Sequence, residues 1–156
     1  MISSFENYFK LGKVKSKTPD YEEAKALFEQ SKERIEYAKL KDINQKTAKF
    51  VLQDSYEAIR EAAQSLMSIR GFKPYSHEAT ISFIKRFYSA DFNDEAINKF
   101  DHFRRLRNNS VYKAVKVMED DAKSSMLFAK KFIQKVQPLL NKINKNHKNS
   151  KTKTPS

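Results

Sequence analysis

The amino-acid sequence contains no cysteine, no tryptophan, only two glycines and only four prolines in 156 residues. Without cysteine the chain has no disulfide scaffold, no thiolate zinc site and no cysteine nucleophile. With two glycines it has neither the G-x-G-x-x-G fingerprint of dinucleotide-binding domains nor a P-loop. So few glycines and prolines also argue against an all-β fold, which needs many tight turns.

Long hydrophobic runs are missing as well. The apolar stretches are only a few residues long, whereas a membrane-spanning helix needs about 20 apolar residues. The first 17 residues, MISSFENYFKLGKVKSK, lack the apolar core of a signal peptide. Together with the absence of cysteine, these features lead us to expect a cytoplasmic protein without a membrane segment.

Positive charge is concentrated at the two ends of the chain. The sequence has 31 Lys and Arg against 19 Asp and Glu, a formal net charge of +12. Residues 1–17 carry a net +3 and residues 141–156 a net +5, so residues 18–140 hold only +4. Basic ends attract polyanions such as nucleic acids, but solubilising segments have the same composition. The charge alone leaves both interpretations open.

Hydrophobic periodicity predicts five helices and no strand of useful length. A Thr18-Pro19-Asp20 start suits the first helix, with threonine as N-cap and proline at the first helical position. Gly71 is expected to end the second helix, and Ser76 to cap the third. The predicted helices cover about residues 18–40, 44–70, 77–88 and 94–112, and the last begins near residue 119.

Two of these helices carry apolar seams whose residues alternate four and three apart, the spacing of helices that pack along each other. The seams consist of Ala48, Leu52, Ser55, Ile59, Ala62, Leu66 and Ile69, and of Ala122, Met126, Ala129, Ile133, Val136, Leu140 and Ile143. The prediction is an all-α fold, an antiparallel up-and-down bundle of four main helices plus one short helix over residues 18–140. Residues 1–17 are then a basic N-terminal extension, and residues 141–156 a basic tail that we expect to be disordered.

The fourth predicted helix departs from its own pattern. Its apolar stripe runs through Ile97, Phe100 and Phe103 and then reaches Arg107, where a core residue is expected. A buried guanidinium is costly unless it is paired. Arg107 is therefore expected to meet an acid inside the bundle, or to lie in a cleft or in a dimer seam. Arg105 lies off this stripe and can be an ordinary solvated residue.

The residues that follow Arg107 are poor helix-interior residues. Asn108, Asn109 and Ser110 compete for backbone hydrogen bonds, and Tyr112 adds a ring and a hydroxyl. A cluster of Arg, Asn, Ser and Tyr can bind a phosphate and stack a base. The alternative is structural, with Arg107 in a buried salt bridge and Tyr112 packed with its hydroxyl satisfied.

Other polar candidates carry weaker signals. Three scattered histidines, His77, His102 and His147, do not make a metal site. His77 stands beside an N-cap and is expected to be structural or exposed. Glu57 and Glu61 form an i, i+4 acidic pair that is more typical of a solvated helix face than of a site.

Two stretches of the chain resemble the HEPN superfamily, especially its small stand-alone members from archaea and bacteria. They are AKFVLQDSYEAIREAAQSLMSIRGFKPYSHEA, over the second predicted helix and the next loop, and FDHFRRLRNNSVY in the fourth. The segment MEDDAKSSMLFAKKFI of the last helix is also similar, so the resemblance covers roughly Tyr21–Leu140. It implies a bundle of four or five helices, usually dimeric, in a family whose ribonucleases need no metal or other cofactor.

The HEPN motif is an arginine, often followed by asparagine, and then a histidine after four to six intervening residues. On this resemblance Arg107 matches the arginine, Asn108 matches the next polar residue, and Tyr112 stands where the histidine is expected. In a second register Arg105 takes the arginine position, Ser110 replaces the histidine, and Tyr112 matches a tyrosine of some toxin members. We prefer the first register because Arg107 lies on the inward stripe.

Both registers lack the motif histidine, and this bears on catalysis. Cleavage of this type activates an RNA 2′-hydroxyl with a base near neutral pH, which suits histidine (pKa about 6.5) better than tyrosine (pKa about 10). Three functions follow: an RNA- or nucleotide-binding module, an active metal-independent endoribonuclease of the toxin type, or the non-catalytic partner of a nucleotidyltransferase in a toxin–antitoxin-like pair. In the third, Tyr112 is a candidate modification site.

We favour the first of these functions, in a homodimer that engages RNA or a nucleotide through the fourth helix. Arg107 and Tyr112 are the candidate catalytic positions if any cleavage survives. The candidate ligand-binding residues are Arg105, Arg107, Asn108, Asn109, Ser110 and Tyr112.

Overall fold

Six helices and one two-stranded sheet make up residues 1–152, the part of the chain that the computed structural model describes. In chain order they are α1 (Phe5–Lys10), β1 (Val14–Ser16), α2 (Tyr21–Lys39), α3 (Ala48–Ile69), β2 (Phe72–Pro74), α4 (His77–Phe87), α5 (Asp94–Lys113) and α6 (Glu119–Thr152). The helices pack as a bundle, which confirms the all-α fold class. The five predicted helices correspond to α2 through α6.

Helix α3 is the centre of the bundle and packs against α2, α4, α5 and α6. Every residue of its predicted seam, from Ala48 to Ile69, is buried. Residues outside the seam, such as Val51, Tyr56 and Met67, are buried too, because neighbouring helices cover α3 on several sides. A helix enclosed in this way holds its polar side chains against its neighbours rather than in solvent.

Four helices, α1, α2, α4 and α5, start with a side-chain cap, whereas the N-cap of α3, Thr47, makes no such hydrogen bond. The side chains of Ser76 and Asn93 cap α4 and α5 by accepting backbone N–H groups three residues ahead. Helix α2 is capped by Asp20 and not by Thr18, since the Asp20 side chain accepts the N–H of Glu23 at 2.9 Å. The backbone N–H of Asp20 donates to a carbonyl near the end of α3, which holds the preceding residues in an extended path.

Residues 1–17 are folded onto the bundle, so they do not form a separate extension. Phe5 of α1 is buried among Phe72, Phe83 and Phe87, with ring centroids 5.1–6.0 Å away. Strand β1 pairs with β2 in antiparallel register, with Val14 opposite Pro74. Two strands of three residues have no sequence signature of their own, and the pairing depends on Gly71 ending α3 at a φ of +82°.

The basic C-terminal segment is helical as far as the structure describes it. Helix α6 continues through residues 141–152, so the expected disordered tail is not found there, and residues 153–156 lie outside the described residues. The helix persists because Leu140 is buried and the ring of His147 stacks on Tyr21 of α2 at 3.8 Å. No helix in the described part of the chain is long and apolar enough to cross a membrane.

Candidate functional site

The polar end of α5 is oriented by the aromatic residues that precede it. Phe100 and Phe103 are buried, and Phe100 lies edge-on to Tyr56 of α3 with ring centroids 6.2 Å apart. Residues four apart lie on the same face of a helix, so Arg107 follows Phe103 towards α3. Three helices, α3, α4 and α5, contribute side chains to the polar cluster that results.

Arg107 meets an acid inside the bundle. Its Nη2 lies 3.2 Å from Oε1 of Glu57, and the two side chains are only 19% and 17% exposed. Its Nη1 makes two long contacts, with the Asn108 side-chain oxygen at 3.3 Å and the Tyr112 hydroxyl at 3.4 Å. Its Nε is buried and has no hydrogen-bond partner among the described residues. The guanidinium therefore has fewer acceptors than donors.

Glu57 is shared between two arginines. Its Oε2 accepts from Arg60, with Nη2 at 2.6 Å, while its Oε1 faces Arg107. One carboxylate between two guanidinium groups leaves a local surplus of one positive charge. Such a pair of forked donors around one carboxylate is suited to accepting a second anion, because guanidinium matches phosphate oxygens in geometry.

His77 joins the cluster from the first residue of α4. Its Nδ1 lies 3.0 Å from the hydroxyl of Tyr56, which is fully buried. Burial is the main cause that lowers the pKa of His77, and the charge of Arg60 lowers it further. Burial also raises the pKa of Tyr56, so that its hydroxyl stays protonated.

Arg104 closes the cluster towards α4. It binds Asp101 of its own helix at 2.8 Å and Glu78 at 3.0 Å, which ties the start of α4 to α5. Arg105 is largely exposed and reaches Asp101 at 3.3 Å. The two arginines, Arg104 and Arg105, are balanced by two acids, Asp101 and Glu78. The positive surplus therefore stays with Arg60 and Arg107.

A family model describes most of this chain. The model of the HEPN domain matches residues 24–142, more than half of the 156 residues. The chain belongs to the HEPN family. Among curated proteins, none matches it. The family is one of ribonucleases and nucleotide-binding modules, and the matched span holds every residue of the polar cluster.

The HEPN site residues predicted from the sequence fall into two groups. Asn108 and Tyr112 both contact Arg107, and the Tyr112 ring lies 5.7 Å from the guanidinium of Arg107. Asn109 uses its carbonyl to accept the N–H groups that end α5, and Ser110 lines a shallow hollow beside Phe50. In the first register, Arg107 thus contacts both other residues, and the function of the three stays a prediction.

Glu57, Arg60 and His77 of the cluster were not predicted as site residues. Glu57 and Glu61 were expected on a solvated face, but both are ion-paired, and Glu61 is 2% exposed against Arg34 of α2. Arg60 carried no signal, and His77, beside an N-cap, was expected to be structural or exposed. The sequence offered one indirect signal for Glu57: a buried Arg107 requires an acidic partner on the helix that faces it.

The remaining histidines lie outside the cluster. His102 is exposed on α5 beside the ring of Phe103, and His147 stacks on Tyr21. In residues 1–152 no group of three or more His, Asp and Glu side chains is arranged to hold a metal ion. The polar cluster consists of arginine, glutamate, aspartate, asparagine, histidine and tyrosine side chains.

Proposed function

We propose that this HEPN domain is an RNA- or nucleotide-binding module that holds a phosphate group at Arg107. The observation that carries the proposal is the unsatisfied guanidinium of Arg107. Its Nε–H is buried without a partner, and leaving such a group unpaired costs about 1–3 kcal/mol or more. An anion that draws the side chain outward relieves this cost.

The charge around Arg107 also favours an anion. Arg60 and Arg107 share Glu57, so a phosphate enters a site with one uncompensated positive charge. Arginine binds phosphate through paired N–H groups, and hydrogen bonds to charged groups contribute about 1.5–3 kcal/mol each. This contribution does not depend on base identity, so we propose affinity for single-stranded RNA without strong sequence preference.

Tyr112 supplies a surface for a base. The side chain is 73% exposed, and its ring stands beside the Arg107 guanidinium. Stacking of a base on an exposed aromatic ring contributes about 1–3 kcal/mol. Phosphate and base contacts therefore lie next to each other at the end of α5, as binding of a nucleotide requires.

The test compares RNA binding by wild-type protein and by two arginine variants. Arg107→Ala should lower the affinity for a short oligouridylate, measured by fluorescence anisotropy, by about 10- to 100-fold. Arg86→Ala is the matched control, because Arg86 is exposed on α4 and Glu6 is its only ion-pair partner among the residues that the structure describes. Equal binding by wild type and Arg107→Ala would reject the site.

We also propose that the module is a homodimer joined near the end of α5. The end of α5 and the loop after it carry four exposed apolar or aromatic side chains within eight residues: Val111, Tyr112, Val115 and Met118. Several exposed apolar residues within a short segment are typical of an interaction surface. A second copy of the chain would cover them and bring two Arg107 sites close together.

Light scattering at several protein concentrations tests the dimer. Val115→Asp places a charge on this surface and should convert dimers to monomers, whereas Leu11→Asp, at an exposed turn beside α1, should not. A wild-type protein that is monomeric at high concentration, or a dimer that survives Val115→Asp, would contradict the proposed interface.

A second candidate function is a partner role beside a nucleotidyltransferase. The exposed hydroxyl of Tyr112, 3.4 Å from the Arg107 Nη1, favours it, because a neighbouring guanidinium can hold the phosphate of an incoming nucleotide. Intact-mass measurement after co-expression with such an enzyme tests this. A nucleotidyl adduct that Tyr112→Phe removes is expected, and an unmodified wild-type mass would contradict the role.

A further inference from the structure

His77 is held in a fixed orientation within the polar cluster, and the next residue, Glu78, binds Arg104 of α5 at 3.0 Å, one turn before Arg107. Its Nδ1 is bonded to the hydroxyl of Tyr56, a side chain that is fully buried and packed against Phe100. A ring anchored at one nitrogen by a rigid neighbour can only present its other nitrogen in one direction. The anchoring residue directly precedes Glu57, the acid that Arg60 and Arg107 share.

The other ring nitrogen of His77 is open. Nε2 makes no hydrogen bond to any described residue, and it is not fully buried. It therefore reaches solvent at the surface of the cluster. A half-buried histidine with one nitrogen anchored and the other exposed beside two guanidinium groups has the form of a ligand-binding residue.

The charges that surround His77 come from all three helices of the cluster. Helix α3 contributes Glu57 and Arg60, and α5 contributes Arg107, whose charges act on the imidazole together with that of Glu78 in α4. Tyr56 is neutral, and Arg104 is occupied by Glu78 and Asp101. Without a ligand, burial and the arginine charges keep the imidazole neutral at pH 7.

We propose that His77 is a third ligand of the phosphate site, and that it binds through Nε2 as an imidazolium, so that RNA binding takes up one proton. This rests on the proposed function of Arg107. A phosphate beside the ring offsets the positive charges of Arg60 and Arg107 and favours the charged imidazole. Nδ1–H then donates to the oxygen of Tyr56, and Nε2–H donates to the phosphate.

The proton comes from solvent and goes to His77, because an RNA phosphodiester stays a monoanion through the pH range in which histidine titrates. Affinity for RNA should therefore rise as the pH falls from about 8 to 5. If the phosphate raises the pKa of His77 by about one unit, the affinity changes by about tenfold across this range. Below the pKa that His77 has in the RNA-free protein, the affinity stops rising, since His77 is then already charged.

The experiment measures RNA affinity against pH for wild type, His77→Gln and the matched control His102→Gln. A short oligouridylate is the probe, and calorimetry in two buffers of different ionisation enthalpy counts the protons taken up. We expect proton uptake and the rise in affinity for wild type and His102→Gln, and neither for His77→Gln. His102 is exposed and lies outside the cluster, so its variant corrects for the loss of a histidine.

Nuclear magnetic resonance of the wild type gives a second measurement that needs no variant. The pKa of His77 should rise when oligouridylate is added. An unchanged pKa of His77, or pH dependence that persists in His77→Gln, would overturn the role of His77. In both cases a loss of affinity in Arg107→Ala would still support the phosphate site, so the two proposals fail separately.

Discussion

The carboxylate that two arginines share should oppose RNA binding while it stabilises the fold. Glu57 neutralises part of the charge of Arg60 and Arg107, and it occupies donors that a phosphate would use. Glu57→Gln removes the negative charge and keeps the shape and one acceptor oxygen. We expect the variant to bind RNA more tightly and to unfold more easily than wild type.

The loss of stability follows from the burial of the pairs. Glu57 lies 2.6 Å from Arg60 and 3.2 Å from Arg107, and its side chain is 17% exposed. Hydrogen bonds to charged groups contribute about 1.5–3 kcal/mol, and the amide keeps part of this. A loss of about 1–2 kcal/mol lowers the melting temperature of a domain of this size by about 2–4 °C per kcal/mol.

The gain in affinity follows from Coulomb repulsion. A carboxylate about 7 Å from a bound phosphate repels it by about 0.5–2 kcal/mol, for effective dielectric constants of about 80 down to 20. Removing this repulsion should tighten binding by about 2- to 30-fold at low salt, and by less as salt screens the charges.

The assay pairs anisotropy titrations with thermal melting for Glu57→Gln and a matched control. Glu61→Gln removes an acid one turn along the same helix, where Glu61 is bound by Arg34 at 2.7 Å on the side facing α2. It should lower the melting temperature and leave RNA affinity unchanged. Weaker RNA binding by a folded Glu57→Gln protein, or equal tightening by Glu61→Gln, would refute the assignment of the phosphate to Arg60 and Arg107.

Three further outcomes are expected. Gly71→Ala should destabilise the fold by at least about 1–2 kcal/mol in thermal melts, because φ is +82° and a Cβ would lie 2.7 Å from the carbonyl oxygen of Lys17. Gly12 also has a positive φ but open space around it, so Gly12→Ala should destabilise the fold less. The free energy of unfolding should fall as the pH drops below about 6.5, because His77 has a lower pKa in the folded protein than in the unfolded chain. The variant His77→Gln should lose less stability over the same pH range. Purified wild type should leave single-stranded RNA intact without metal, since Tyr112 is a poor base near neutral pH; cleavage that Arg107→Ala abolishes would make the protein an enzyme.

The helices could be predicted because their signals are local. The alternating spacing along α3 and the caps at Ser76 and Asn93 involve residues within one or two turns of each other. The start of α2 and the strand pair could not be predicted in this way. Both depend on the chain near Asp20 and Val14 lying against the region where α3 ends.

The candidate site was predicted in part, for a related reason. Arg107 stood out because a cation interrupts the apolar stripe of its own helix, and Asn108 and Tyr112 lie close to it in sequence. Glu57 and His77 belong to other helices, and in each helix they look like solvated or capping residues. Only the packing of α3 against α4 and α5 makes them neighbours of Arg107.

The sequence by itself determined that this protein is a helical HEPN domain with an arginine where a core residue is expected. Apolar periodicity acts over a few turns and is therefore readable without a fold. The tertiary structure decided that Glu57 is shared by Arg60 and Arg107, and that Tyr56 anchors His77 beside them. Burial, and with it the charge state of His77, arises only when separate helices exclude water from one place.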